Sequence, residues 1–110
     1  MRDSGAELYV LIDSYSFSAA VAIPSMLKRR VEGVTLVGES AGQPVRFFYG
    51  GMTAELPNSG VLCYCSRVFG DFWPEYSDDP LTPDVIVKQT YEDFLNGVDS
   101  VLRYILEGGE

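Results

Sequence analysis

Three serines follow an apolar stretch within five positions, and they are the residues of this chain best suited to covalent chemistry. They are Ser14, Ser16 and Ser18, and the stretch before them is Leu8 to Ile12. Two alanines come directly after Ser18. A serine hydroxyl attacks an acyl carbon when a base removes its proton and nearby donors stabilise the resulting oxyanion. This segment is therefore the first place to look for nucleophilic catalysis.

The flanking residues predict that Ser18 lies where a strand meets a helix. Leu8 to Ile12 is continuously apolar, which is typical of a strand buried on both faces of a parallel sheet. The alanine-rich run from Ala19 ends in Lys28, Arg29 and Arg30, which predicts a helix that Pro24 kinks or restarts. A helix N-terminus favours an oxyanion, but serine is also a common N-cap. The local pattern alone favours the capping interpretation of Ser18.

The remaining patterns predict an α/β chain whose second half is mostly extended. Val34 to Val37 is a second strand, so the first half forms one strand-helix-strand crossover. Three further strands are predicted, over residues 45–49, 52–56 and 61–68. Gly50-Gly51 separates the first from the second, and the turn at Asn58 to Gly60 joins the second and third as a hairpin.

Beyond the hairpin the sequence predicts an irregular surface excursion, a short strand and two helices. The excursion covers residues 70–83 and the strand covers 85–87. Thr90 and Asp99 are placed as helix N-caps. Tyr91, Phe94 and Leu95 are expected to face the core.

Composition fits one domain and excludes several classes of function. The chain has 110 residues with a net charge of −8, which argues against nucleic acid as a partner. It contains no histidine, and Cys63 and Cys65 point the same way from one strand, so neither a metal site nor a disulfide is predicted. No cofactor is expected. No stretch has the length of a membrane span.

A general base for Ser18 is missing from the sequence. A Ser-His-Asp triad cannot form without histidine. Lys28 would lie near the far end of the predicted helix, roughly 15 Å away. Lys88 follows the last strand and has no neighbours in sequence that would desolvate it.

Five segments, in order along the chain, resemble the tail-specific (C-terminal-processing) serine peptidases. The branch they are most similar to contains tricorn protease and the interphotoreceptor retinoid-binding protein. Together they span nearly the whole chain from residue 8, and they are LIDSYSFSAA (11–20), LVGESAGQP (36–44), ELPNSGVLCYCS (55–66), LTPDVIV (81–87) and YEDFLNGVDSVLRYIL (91–106).

The resemblance implies a crotonase-like or ClpP-like α/β core and a serine endopeptidase activity. Residues 1–110 would be the C-terminal part of a catalytic domain, with residues 1–6 a linker or an added initiator region. Ser18 would be the nucleophile, the backbone N–H of Ala19 would contribute to the oxyanion hole, and Glu39 and Gln43 would lie on a supporting or substrate loop. The substrate would be a peptide or unfolded protein in an extracytoplasmic or membrane-associated setting, and an upstream part of the polypeptide would supply the base. An isolated fragment is then expected to be inactive.

A second interpretation is a peptidase-like domain without catalysis, used for peptide binding or assembly. Gln43 occupies the position nearest to the family's lysine base, and Val21 stands where many members carry an acid. Glu39 is more simply read as a carboxylate that holds its own turn by hydrogen bonds. In either case the apolar first strand would expose an unpaired edge, so we expect association with the rest of the domain or formation of a homo-oligomer.

Overall fold

The computed structural model describes residues 5–109, which form a mixed α/β fold with two separate sheets. The fold class predicted from the sequence, α/β, is confirmed at this level. In chain order the elements are β1 (Leu8–Ile12), α1 (Ala19–Arg30), β2 (Val34–Gly38), β3 (Arg46–Glu55), β4 (Leu62–Asp71), β5 (Val85–Ile86), α2 (Tyr91–Leu95) and α3 (Ser100–Leu106).

The first sheet is parallel and has the strand order β1-β2-β5. Leu8 pairs with Val34 and Ile12 with Gly38, so β1 and β2 are in register along their full length. β5 pairs with the carboxyl end of β2, through Val37 and Val85. The predicted strand-helix-strand unit is confirmed, and β1 lies at the edge of the sheet as expected.

The apolar core lies between α1 and one face of this sheet. Val21 and Leu36 are almost completely buried there, together with Leu81. Leu81 belongs to the segment predicted as a surface excursion, so that prediction was wrong for this residue. The remaining buried members of the cluster are Ile12, Val34, Ala41 and Val45.

The prediction that β1 is buried on both faces was wrong. Tyr9 and Leu11 are 37% and 43% exposed. They point away from the core, since alternate residues of a strand face opposite sides of its sheet. On that side β1 contacts α3, yet Tyr9 and Leu11 stay partly exposed, so the second face is incompletely covered.

Helix α1 is continuous through Pro24, so of the two predicted alternatives, a kink or a restart, the restart was wrong. Pro24 and Ser25 are both buried, and the Ser25 hydroxyl donates a hydrogen bond of 2.7 Å to the carbonyl oxygen of Val21. Pro24 lies on the sixth position of the helix, where it removes one backbone donor. The helix keeps its packed face toward the sheet.

Strands β3 and β4 form a ten-residue antiparallel ribbon that extends away from the core. Residues Arg46 and Asp71 pair at its base, and Glu55 and Leu62 pair at its tip. The predicted hairpin is confirmed. The chain measures 59 × 38 × 24 Å, and its radius of gyration of 17.8 Å exceeds the roughly 13 Å of a compact domain of this length.

Gly50 and Gly51 do not divide β3, contrary to prediction. Gly50 has a φ of 52°, which glycine adopts without steric cost, and Gly51 pairs with Ser66 in the ribbon. A Cβ atom at Gly51 would lie 2.0 Å from the carbonyl oxygen of Cys65. The glycines thus let the two strands pass closely.

The two C-terminal helices begin at the predicted caps. The Thr90 hydroxyl accepts a hydrogen bond from the N–H of Asp93, and the Asp99 carboxylate accepts from the N–H groups of Val101 and Leu102. The predicted core contacts of α2 were wrong, because three of its side chains are largely exposed. They are Tyr91 at 76%, Phe94 at 69% and Leu95 at 63%.

The residue that α2 buries is Asp93. The Ser100 hydroxyl donates to its carboxylate at 2.6 Å, and the guanidinium of Arg103 binds both carboxylate oxygens at 2.6 Å. These contacts, led by the Ser100 hydrogen bond, lower the pKa of Asp93 below its usual value. This polar cluster joins α2 to α3.

Candidate active site

The segment between β1 and α1 is a turn held by its own side chains. The Asp13 carboxylate accepts a hydrogen bond of 2.9 Å from the N–H of Tyr15, and the Ser16 N–H donates to the Asp13 carbonyl oxygen at 2.9 Å. The Ser16 hydroxyl in turn accepts from the Asp13 N–H at 3.0 Å. These short-range bonds fix the direction in which the chain enters α1.

Ser18, the last residue before α1, has a backbone conformation that residues other than glycine avoid. Its φ and ψ are 57° and −119°. Within residues 5–109 it is the one residue other than glycine with a positive φ. A conformation of this kind costs about 1–3 kcal/mol and persists only when the surrounding structure imposes it.

Ser18 occupies the N-cap position of α1 but does not act as a cap. Its side chain makes no capping hydrogen bond, whereas those of Thr90 and Asp99 do so for their helices. Caps of the ordinary kind are extended, as these two are. Ser18 is also exposed to solvent. The capping interpretation therefore does not account for this serine.

The N–H of Ala19 is available at the start of the helix. The next N–H groups are used, because Ala20 donates to the Phe17 carbonyl oxygen while Val21 and Ala22 donate to that of Ser18. Among the residues described, nothing accepts a hydrogen bond from the Ala19 N–H. An unpaired donor at a helix N-terminus, next to a hydroxyl, is suited to an oxyanion.

The loop after β2 lies in direct backbone contact with the serine turn. The Glu39 N–H donates to the Ile12 carbonyl oxygen at 2.9 Å, and the Gly42 N–H donates to that of Ser16 at 3.0 Å. A Cβ atom at Gly38 would lie 2.0 Å from the Ile12 carbonyl oxygen, and one at Gly42 would lie 2.6 Å from that of Ser14. Glycine at both positions makes this approach possible.

Beside this contact lies a cleft of 340 Å³. It is formed at the carboxyl ends of the parallel strands, where open α/β sheets commonly bind ligands. Ser18 does not line the cleft but follows Ser16, which does, by two residues. The other lining residues are Leu11, Ile12, Asp13, Ser14, Tyr15, Glu39, Val87, Gln89, Asp99 and Val101.

Glu39 lines the cleft and Gln43 does not. The Glu39 side chain makes no hydrogen bond or ion pair with the residues described, so the interpretation that it holds its own turn was wrong. Gln43 is only 8% exposed, and its amide nitrogen has no partner in the described part of the chain. The structure thus brings the Glu39 loop to the serine turn and buries Gln43 at the end of that loop.

Lys28 is held at the end of α1 that is distant from Ser18. Its ammonium group donates to the Val34 carbonyl oxygen at 2.7 Å and lies 2.8 Å from the Asp84 carboxylate. Asp84 also accepts a hydrogen bond of 2.7 Å from the N–H of Leu36. Asp84 therefore ties α1 to β2, a role that sequence reasoning missed because its partners lie about fifty positions away. Within residues 5–109 no cluster of histidine, cysteine and carboxylate residues could hold a metal ion.

Two solved structures resemble this chain in fold. The crystal structure of the tricorn protease matches with a TM-score of 0.64 and 16% identity, over 93% of this chain and 10% of that one. The chain has a peptidase-like fold. The crystal structure of a putative peptidase from Parabacteroides merdae matches with a TM-score of 0.56 and 22% identity. This match covers 94% of the present chain and 31% of the Parabacteroides chain.

The two matches thus cover almost all of this chain but only a small share, 10% and 31%, of the two chains that it resembles. At such identities the likeness is one of backbone fold. No family model and no curated protein matches the sequence. Within the part that the structure describes, no helix is long and apolar enough to cross a membrane.

Proposed function

We propose that this chain is the C-terminal part of the catalytic domain of a serine peptidase, with Ser18 as the nucleophile. The family we propose is that of the tail-specific peptidases, in their tricorn-like branch, with a crotonase-like or ClpP-like core. The likeness to two peptidase structures supports the choice of reaction class. The observation that carries the proposal is the strained, uncapped backbone of Ser18 between a parallel strand and a helix.

The strain argues for a functional role of Ser18, because no capping hydrogen bond of its side chain offsets the energetic cost. Glycine would adopt this conformation freely, and an extended serine would cap the helix. A sharp strand-to-helix turn that exposes a strained serine is also the arrangement that presents the nucleophile in the α/β-hydrolase fold. It leaves Ser18 exposed and its hydroxyl free of a capping hydrogen bond, so that a substrate can reach it.

In the proposed reaction the Ser18 hydroxyl attacks the carbonyl carbon of a peptide bond. A base takes the hydroxyl proton, and the developing oxyanion accepts a hydrogen bond from the free N–H of Ala19. Collapse of the tetrahedral intermediate expels the amine, which receives the proton, and leaves an acyl group on Ser18. Water then hydrolyses this ester and restores the serine.

The base is proposed to come from an upstream part of the polypeptide or from another chain. Lys28 is unsuited, because its ammonium group is engaged with Val34 and Asp84. Glu39 and its loop would contact the substrate or orient the base, since Glu39 lines the cleft beside the serine turn. The proposed substrate is an extended peptide or an unfolded protein.

A second candidate is a peptide-binding or assembly domain that lacks catalysis. The buried amide of Gln43, which stands nearest to the position where the resembled family carries a lysine, favours this alternative. In this case the strained backbone at Ser18 would hold the serine turn in the position that forms one wall of the cleft.

Fluorophosphonate labelling distinguishes the two candidates. The intact gene product would be treated with the probe beside Ser18→Ala and, as a matched control, Ser14→Ala. Labelling of the wild type and of Ser14→Ala, lost in Ser18→Ala, is the expected result. A folded wild-type protein that takes no label would remove Ser18 as nucleophile and leave the binding domain as the better account.

A further inference from the structure

Strands β3 and β4 bring three sulfur-containing side chains to one face of their ribbon. Residues that pair across an antiparallel ribbon share a face, and so does every second residue along one strand. Met52 pairs with Cys65, and Cys63 precedes Cys65 by two positions on the same strand. Both cysteines are free. We define the sulfur cluster as Met52, Cys63 and Cys65.

The spacing of the two thiols suits a bridging ion better than a disulfide. Cys63 and Cys65 lie two residues apart, which is about 7 Å along the strand at roughly 3.4 Å per residue. A relaxed disulfide needs Cβ atoms about 3.5–4.5 Å apart, so the pair cannot close one without distorting the strand. A metal–thiolate bond is about 2.3 Å long for zinc, so two bonds of this kind join sulfur atoms up to about 4.6 Å apart. The two thiols need only lean toward each other to share one ion.

The neighbouring strand supplies a third ligand. Opposite residues of an antiparallel pair have Cβ atoms about 4.5–5.5 Å apart, and the long, flexible side chain of Met52 can carry its sulfur over that distance to Cys65. Cys63 pairs with Ala54, whose small side chain leaves room beside the thiol. Two cysteines alone did not predict a metal site. The register of β3 with β4 adds the methionine, which spacing in the sequence does not reveal.

The surroundings of the sulfur cluster favour a soft ion of low charge. The next residue on this face of β4 is Arg67, whose guanidinium lies 3.8 Å from the Met52 sulfur. Two thiolates around a monovalent cation leave one excess negative charge, which this guanidinium offsets. The next positions on this face of β3 are Gly50 and Ala54, so no carboxylate stands beside the cluster to favour a hard ion.

We propose that the sulfur cluster binds one Cu(I) ion, with the Cys63 and Cys65 thiolates and the Met52 thioether as ligands. Thiolate and thioether sulfurs select Cu(I), Zn(II) and iron–sulfur clusters. Structural zinc sites take four ligands and iron–sulfur clusters take four cysteines, whereas this cluster has three sulfurs, a number that Cu(I) accepts. Binding releases the two thiol protons to solvent and changes no oxidation state. Met52 is 54% exposed and Cys65 is exposed as well, so the ion can enter from solvent.

Copper competition measures the affinity of the site. The 110-residue chain would be reduced, kept free of oxygen and titrated with Cu(I) against the chromogenic chelator bicinchoninate. One ion per chain is expected. Cys63→Ser and Cys65→Ser should each lower the affinity at least about a hundredfold, and Met52→Leu about tenfold, since the loss of even an outer-shell partner lowers metal affinity about 10–100-fold.

Met26→Leu is the matched control for Met52→Leu. Met26 lies in α1, away from the ribbon, so its replacement should leave the copper affinity unchanged. Exchange of methionine for leucine nearly conserves volume, and circular dichroism without copper would establish that all four variants remain folded.

X-ray absorption at the copper edge counts the ligands independently of the affinity. The wild type and Met26→Leu should show three sulfur neighbours, and Met52→Leu should show two. A wild type that binds no Cu(I), or that shows two sulfur neighbours only, would overturn the proposal. One ion for every two chains would also overturn it, because two copies would then share the ion, and so would a Met52→Leu variant that binds copper as tightly as Met26→Leu.

Discussion

Replacing Ser18 by glycine should stabilise the protein, whereas replacing it by alanine should leave its stability nearly unchanged. The reason is the backbone conformation of Ser18, which strains every residue that carries a Cβ atom. That strain amounts to about 1–3 kcal/mol. Glycine removes the steric part but loses about 0.5–1 kcal/mol through its greater freedom in the unfolded chain. The net gain should be about 1 kcal/mol, within a range of about 0–2.5 kcal/mol.

Alanine keeps the Cβ atom and therefore the strain. Because the Ser18 side chain makes no capping hydrogen bond, its removal should change the free energy of unfolding by less than about 0.5 kcal/mol. An ordinary N-cap would make both variants less stable than the wild type, with alanine costing about 1 kcal/mol and glycine a few tenths. The two explanations of Ser18 thus differ in whether glycine raises or lowers the stability relative to the wild type, and in whether alanine has a cost.

Urea unfolding provides the assay. Trp73 is the single tryptophan, and its ring packs on that of Tyr76 with centroids 4.9 Å apart, so its fluorescence should report the loss of tertiary structure. All variants would be compared at one protein concentration and with equal denaturant slopes, because association would otherwise shift the apparent stability. Alanine destabilising by about 1 kcal/mol, with glycine less harmful, would refute the reasoning.

Two further predictions concern the core and the C-terminal helices. Leu81→Ala should lower the free energy of unfolding by about 2–5 kcal/mol, because Leu81 is fully buried. Leu106→Ala, at a site that is 77% exposed, should change the free energy of unfolding little. Urea unfolding of both variants would check this. Asp93→Asn should remove a pH-dependent part of the stability. The pKa of Asp93 is lowered in the folded state by its Ser100 hydrogen bond and by Arg103, so the stabilisation is present above the unfolded pKa near 3.8 and is lost as the pH falls below it. Thermal unfolding from about pH 6 to about pH 2 should show the difference between the two proteins shrinking, and a difference independent of pH would contradict the assignment.

The parts of the fold that short-range patterns determine could be predicted from the sequence. The β3–β4 hairpin follows from the turn residues at 58–60, and the starts of α2 and α3 follow from Thr90 and Asp99, whose side chains reach only two or three residues ahead. The parallel pairing of β1 with β2 follows from an apolar strand, a helix and a second strand at close spacing. Each depends on neighbours in sequence, so one sequence suffices.

The errors arose where distant residues decide the outcome. The pattern of α2 suggested an apolar face, but Asp93 is buried instead because Ser100 and Arg103 supply its partners from the next helix. Gly50 and Gly51 read as a break between strands, yet they are tolerated because β4 pairs on both sides of them. In both cases a favourable contact outweighed a local preference.

The candidate site was only partly readable from sequence. Its position after β1 could be predicted, because a strand, a serine-rich turn and an alanine-rich helix stand in a row. The positive φ of Ser18 could not be predicted, since serine does not favour this conformation. The strained dihedral follows from the turn and the helix together, which only the structure shows. The contact of the Glu39 loop with the turn likewise depends on the register of β1 with β2.

The close approach of that loop to the serine turn restricts how the sequence can vary. Positions 38 and 42 face carbonyl oxygens of the 12–16 segment at distances that leave no room for a side chain. Glu39 lies between them, lines the cleft and is free of this restriction. Substitution at Glu39 can therefore change the chemistry of the cleft wall while two glycines keep the spacing to the turn fixed, so that the chemistry of the loop and its placement are encoded by separate residues.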